Sequence, residues 1–244
     1  MNKLYTFGCS FTEDFDPFMD CPDTTRYKYV MNYHNGIIPK SWPQIMAEEL
    51  GVELKNYGGV GGFSNETGDE GNCNFSIFNN ICQASTDFQK GDVVIIEWTF
   101  MERFKWVNFE GDKLITILPN QIPKDLNKDK ELIENILLSR THKIWIEELF
   151  KYQILINKLS ESVGFDVYYW TIDDKIVQHK FTTIRKDKKW LLSNKLYPNE
   201  DYGAIVRKNG GLRITDESNG SINDSHMGSS GHKVLADLFL KYIK

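Results

Sequence analysis

The chain opens on a short apolar run, Leu4-Tyr5-Thr6-Phe7, that stops at Gly8, and a serine, Ser10, follows two residues later. That pattern predicts a strand handing over to a tight turn, with a hydroxyl exposed at the carboxyl end of a sheet. A second short strand is predicted from Val52 to Tyr57. The run Val93-Val94-Ile95-Ile96-Glu97-Trp98-Thr99 is almost continuously apolar, as a central parallel strand covered on both faces must be. Phe165 to Ile172 is the fourth strand. Helical patterns separate them. The best signalled runs from Ser41 as N-cap through Pro43 in the first turn to Gly51 as the stop, with Trp42, Ile45, Met46 and Leu50 on one face. Another stretch extends from Glu66 or Asn74 to Phe88, one long helix or two lie between Glu131 and Val163, and an amphipathic helix from Lys233 to Ile243 closes the chain.

This alternation predicts an α/β fold: a three-layer α/β/α sandwich with a mainly parallel central sheet, flavodoxin-like in layout and joined by right-handed crossovers. At 244 residues the chain is most simply one domain, 1–244, with insertions near 13–40, 104–130 and 173–219. The first insertion reads as irregular and aromatic, carrying Tyr27, Tyr29 and Tyr33. It is either a substrate-covering loop or a surface excursion held by its own rings. The second reads as a small hairpin or lid. In the third, Leu212-Arg213-Ile214 is a candidate short strand.

Composition narrows the function classes. The net charge of -5 includes no basic block beyond the short Arg185 to Lys189 stretch, which argues against a nucleic-acid partner. The cysteines Cys9, Cys21, Cys73 and Cys82 have neither CxxC nor zinc-ligand spacing, so a reduced compartment is expected and no metal. No export signal or membrane-length apolar run is visible, and a soluble, cytoplasmic protein with no membrane partner is the expectation.

The chemistry follows from where the turns fall. In a parallel sheet the turns after the first three strands lie at one edge: Gly8 to Ser10, Gly58 to Asn65, and Trp98 to Arg103. Asp224-Ser225-His226 precedes the last helix. Ser10, a glycine loop and an Asp-His pair can therefore converge, which is the set that hydrolysis by serine needs. The glycine loop lacks the Lys-Ser/Thr ending of a phosphate-binding P-loop. His232 competes with His226 as the base, but it is expected in the first turn of the last helix, which favours His226.

These residues resemble the SGNH (GDSL-type) hydrolase family. Gly8-Cys9-Ser10 is similar to that family's GDS block, with Cys9 where Asp is usual. Asn56-Tyr57-Gly58-Gly59-Val60-Gly61-Gly62-Phe63-Ser64-Asn65 is similar to its second block, and Asp224-Ser225-His226 with Gly231 to its last. The resemblance implies Ser10 as nucleophile, His226 as base and Asp224 as the orienting acid. It implies an oxyanion hole from the N–H groups of Ser10 and of Gly62 or Gly61, Gly62 being preferred. No cofactor is implied.

Two departures stand out. The family's third block supplies an asparagine after the third strand, where this chain has Trp98-Thr99-Phe100-Met101-Glu102-Arg103; Thr99 or Asn65 is the candidate replacement, the alternative being a hole of only the Ser10 and glycine N–H groups. The acid and base are spaced Asp-x-His, where Asp-x-x-His is common. Arg103 is a candidate contact for an anionic or sugar substrate. The expected activity is a serine esterase removing O-acetyl or another short acyl group from a carbohydrate, with a small-molecule or glycan ester as substrate. A carbohydrate O-acetyltransferase using the same site, and a glycan-binding module with a degraded site, are the rival readings.

Overall fold

A computed structural model of the chain describes residues 2–15, 25–59, 69–70, 73–108, 113–117, 122, 126, 128–139, 142–173, 176, 190–191 and 202–243. Four parallel strands form the central sheet: β1 (Lys3–Gly8), β2 (Glu53–Gly58), β4 (Val93–Trp98) and β7 (Asp166–Thr171), side by side in the order β2-β1-β4-β7. The register sets Gly8 beside Gly58 and Phe7 beside Ile96, so the Ser10 turn leaves the sheet between its two neighbours' ends.

Strand alternation sorts the apolar side chains into two cores, one on each face of the sheet. Tyr5, Phe7, Val94, Ile96 and Trp98 join Ile77 and Ile81 of α3 (Asn74–Ala84) and Leu149 and Ile156 of α5 (His142–Val163). Leu4, Val93, Ile95 and Trp170 face the other way. They pack on Trp42 and Met46 of α2 (Trp42–Leu50) and on Leu235 and Phe239 of α8 (Ser229–Ile243). The fold is therefore α/β, with helices on both faces of a parallel sheet. Among the described residues, no helix is long and apolar enough to cross a membrane.

Helix α2 ends as its sequence predicts: Gly51 adopts the left-handed conformation (φ 66°) and its N–H reaches back to the Glu48 carbonyl. At the other end Ser41 is the N-cap, and its backbone N–H donates to the Gln44 side chain at 3.0 Å. The Ser41 hydroxyl turns away and donates to Asp14. The 104–130 segment contains an antiparallel hairpin, β5 (Phe104–Asn108) with β6 (Lys113–Ile117), to which the short β3 (Asp69–Glu70) adds in parallel. The Glu131 to Val163 region is two helices, α4 (Lys130–Ser139) and α5.

Three expectations change. The irregular reading of residues 12–40 misses helix α1 (Thr25–Tyr33), whose residues Tyr29 and Val30 are buried against Phe15, Ile214 and Ile222. Thr25–Tyr33 itself contains no Gly or Pro, and tertiary burial stabilises a helix whose own amphipathicity is weak. Leu212-Arg213-Ile214 is not a strand. Arg213 makes a single antiparallel bridge to Met227, and Ile214 begins the short helix α7 (Ile214–Glu217), preceded by α6 (Tyr202–Lys208). Helix α3 begins at Asn74 and stops at Ala84, with a 3₁₀ turn over Ser85–Asp87 before Phe88.

Candidate active site

Ser10 occupies the second position of a tight turn, Cys9-Ser10-Phe11-Thr12, closed by the Thr12 N–H on the Cys9 carbonyl at 2.9 Å. The turn folds over the ends of β1 and β2, which is why both strands end in glycine. A Cβ at Gly8 would overlap the Thr12 hydroxyl and the Glu97 carboxylate, and one at Gly58 would overlap the Thr12 and Glu13 backbone. Asn56 ties β2 to the same turn. Its amide donates to the Thr12 carbonyl at 2.9 Å, and its oxygen accepts from the Thr6 hydroxyl at 2.8 Å and from the Gly58 N–H at 2.9 Å.

Ser10 Oγ lies 2.7 Å from His226 Nε2, and His226 Nδ1 lies 2.5 Å from Asp224 Oδ1. Ser10 and the Asp224–His226 pair, far apart in sequence, therefore form one hydrogen-bonded relay at the carboxyl edge of the sheet. The short Asp-x-His spacing works through an Asx turn: the same Asp224 oxygen also accepts the His226 backbone N–H at 2.8 Å. One carboxylate oxygen thus sets both the local backbone and the ring. Burial acts to raise the Asp224 pKa, but the hydrogen bonds and charge of His226 outweigh it, with a further contribution from the Arg26 charge. The net result lies below the ordinary carboxylate value.

The loop carrying Asp224 and His226 is pinned from behind. Thr215 donates its hydroxyl to the Asp224 carbonyl at 2.7 Å and accepts the Asp224 N–H at 2.8 Å, while the Ile214 N–H bonds the His226 carbonyl at 2.9 Å. Just beyond, Glu217 accepts the N–H groups of Ser229 and Ser230 at 3.1 and 2.8 Å, together with the Tyr29 hydroxyl. A carboxylate there satisfies orphan donors at the N-terminus of α8 and complements the helix dipole. Phe11 stacks obliquely on the His226 ring, with centroids 4.6 Å apart.

The other predicted site residues fall differently. Gly61, Gly62, Ser64 and Asn65 lie outside the described residues. Thr99 is fully buried, and Asn74 brackets its peptide, accepting the Thr99 N–H at 2.9 Å and donating to the Thr99 carbonyl at 3.2 Å. Among the described residues its hydroxyl has no hydrogen-bond partner, Ser10 included. Arg103 stands over the Phe100 ring at 4.9 Å and lines a cavity of about 260 Å³ together with Phe104, Lys105, Trp145 and Tyr152. Its positive charge acts to lower the pKa values of Cys9 and Glu97, against the burial that raises both. No group of three or more His, Cys, Asp or Glu side chains among the described residues is arranged to hold a metal ion.

Two residues beside Ser10 escape sequence reasoning. Arg26 donates to the Ser10 carbonyl at 2.9 Å and pairs with Glu13 at 2.5 Å. Glu97 lies fully buried under the turn, where it accepts from Cys9 and Thr12. The signal for Glu97 was available: a carboxylate inside a strand otherwise apolar on both faces is costly to bury without partners. Arg26 carries no comparable signal, because a single arginine in a polar segment is ordinary.

Comparison with solved structures finds a member of the lipolytic protein G-D-S-L family from Veillonella parvula DSM 2008. It is 12% identical, with a TM-score of 0.42, and the match covers 99% of this chain and 97% of that chain. No family model matches the sequence. No curated protein matches it either.

Proposed function

We propose that the protein is a serine ester hydrolase of the SGNH type that removes O-acetyl or another short acyl group from a carbohydrate. The observation that carries the reading is the relay itself, Ser10 Oγ to His226 Nε2 at 2.7 Å and His226 Nδ1 to Asp224 at 2.5 Å. In this reading His226 takes the Ser10 proton as the hydroxyl oxygen attacks the acyl carbon. Asp224 holds the imidazole in the tautomer with a proton on Nδ1 and stabilises the cation that forms. The Ser10 N–H is assigned to the oxyanion, with Gly62 as the second donor that the resemblance implies; His226 returns its proton to the leaving alcohol, and water, activated by the same imidazole, releases the acid.

Arg103 and the cavity it lines support the carbohydrate part of the reading. A pocket of aromatic faces with a few charged groups offers stacking for sugar C–H faces and donors for hydroxyls or an acidic substituent. The test is turnover of p-nitrophenyl acetate by the wild type and by Ser10→Ala, with a fluorophosphonate probe as a second readout. Ser10-dependent turnover and labelling of Ser10 are expected. Indistinguishable background rates, or a label on another residue, would refute the esterase.

A further inference from the structure

Glu97 is a buried carboxylate at the end of a central strand, and the reaction as written above leaves it without a role. Its side chain is fully inside the protein, yet its three described hydrogen bonds all come from the turn that carries Ser10. Oε2 accepts the Cys9 N–H at 3.2 Å, Oε1 accepts the Cys9 Sγ–H at 2.9 Å, and the Thr12 hydroxyl donates to Oε2. Cys9 and Thr12 are the first and last residues of that turn, itself closed by the Thr12 N–H on the Cys9 carbonyl. Ser10 and Phe11 form its tip. One carboxylate therefore grips both ends of the loop from below, while Arg26 holds the Ser10 carbonyl from the other side at 2.9 Å.

The neighbourhood is built for this contact. Gly8 has no Cβ because one would collide with both Glu97 and Thr12. Burial pushes the Cys9 thiol up to about 12, so it stays protonated and remains a donor to Glu97. Cys9 also stands where the resemblance leads one to expect an aspartate. A carboxylate, that of Glu97 from the neighbouring strand, instead meets the Cys9 side chain at 2.9 Å.

We infer that Glu97 is a positioning residue for the nucleophile: by anchoring Cys9 and Thr12 it fixes the turn at the height and rotation that set Ser10 Oγ against His226 Nε2. The inference rests on the reading of Ser10 as the nucleophile. A displacement of about 1 Å at a reacting atom can lower a rate by roughly 100-fold, which sets the scale of the effect. Replacing the carboxylate by the isosteric amide turns an acceptor toward Cys9 or Thr12 into a donor, so the turn must shift to relieve the mismatch.

The test compares wild type, Glu97→Gln, Thr12→Val and Ser10→Ala. For p-nitrophenyl acetate, Glu97→Gln is expected to lower kcat by about 10- to 100-fold while KM changes by less than about twofold. Thr12→Val, which removes one of the three donors, is expected to lower kcat by about 3- to 10-fold. It serves as the second variant if Glu97→Gln does not melt cooperatively. A kcat equal to wild type in a folded Glu97→Gln or Thr12→Val protein overturns the inference, as does a loss confined to KM. The ring nitrogen NMR signals of His226, assigned with His226→Gln, supply a readout that needs no turnover. In Glu97→Gln they are expected to move toward their position in Ser10→Ala, and signals unmoved from wild type overturn the inference. If the wild type turns over no faster than Ser10→Ala, the esterase reading fails, and the NMR comparison alone decides whether Glu97 positions Ser10.

Discussion

Two histidines six residues apart, His226 and His232, occupy opposite environments. The His226 side chain is 30% exposed, and both of its nitrogens face side-chain oxygens, one a hydroxyl and one a carboxylate. His232 is buried in the first turn of α8, under the edge of Phe15. Its Nδ1 accepts the Trp42 N–H at 3.0 Å, a donor at the start of α2 that has no partner within its own helix. Burial, with the nearby Arg26 and His226 charges, pushes the His232 pKa down to about 3. One imidazole bridges a hydroxyl and a carboxylate at the sheet edge, and the other is a neutral acceptor that locks α8 to α2. The same side chain is tied to two side chains where it is part-exposed, and to a backbone donor where it lies in the core.

The largest expected effect separates them by rate. His226→Gln should lower kcat/KM by roughly 10⁴-fold or more with little change in melting temperature, because among the described residues His226 is the base hydrogen-bonded to Ser10. Retention of wild-type turnover would move the base elsewhere. Asp224→Asn should follow, with a loss of about 10³- to 10⁴-fold, since the amide keeps the Asx turn but favours the wrong tautomer.

The third effect is the converse. His232→Leu leaves the Trp42 N–H buried without an acceptor and should cost about 1–3 kcal/mol of stability. That corresponds to about 2–4 °C of melting temperature per kcal/mol for a chain of this size. Its kcat should stay close to wild type, so a collapse of turnover in a folded His232→Leu protein would break the division of labour.

The smallest effect is a slope. Between pH 6.5 and about 3 the unfolded chain protonates His232 and the native protein does not. Stability from this group is thus complete above pH 6.5 and is lost as pH falls, at up to about 1.4 kcal/mol per pH unit. Glu97 acts in the opposite sense. Burial raises its pKa to about 7 from 4.5, against the hydrogen bonds from Cys9 and Thr12, so its contribution is complete below pH 4.5 and is lost as pH rises. The two offset each other between pH 4.5 and 6.5. The informative quantity is therefore the difference between the wild-type and His232→Leu melting curves across that range, and parallel curves would contradict the buried neutral imidazole.

Much of this was legible in the residue order. Apolar runs located β1, β4 and β7, because a strand covered on two faces is mostly apolar, and the shorter β2 was marked by the glycine turn that follows it. The Ser41-to-Gly51 signals bounded α2, and the preference for His226 over His232 came from the expected start of the last helix. Where the pattern was weak, as between Thr12 and Lys40, helix α1 went unseen, because its stability comes from Tyr29 and Val30 packing on segments nearly 200 residues away.

By itself, then, the sequence determined the layers, the strand ends and the residue types gathered at one sheet edge, since these depend on periodicity and on glycine's freedom to turn. Only the tertiary structure decided that one Asp224 oxygen serves both the backbone and the ring of His226, and that Arg26 and Glu97 grip the Ser10 turn from two sides. It also decided that Thr99 is bracketed by Asn74 rather than aimed at Ser10. Those are contacts between residues brought together by packing, and their distances are set by how two cores close around a sheet, a quantity that no local spacing encodes.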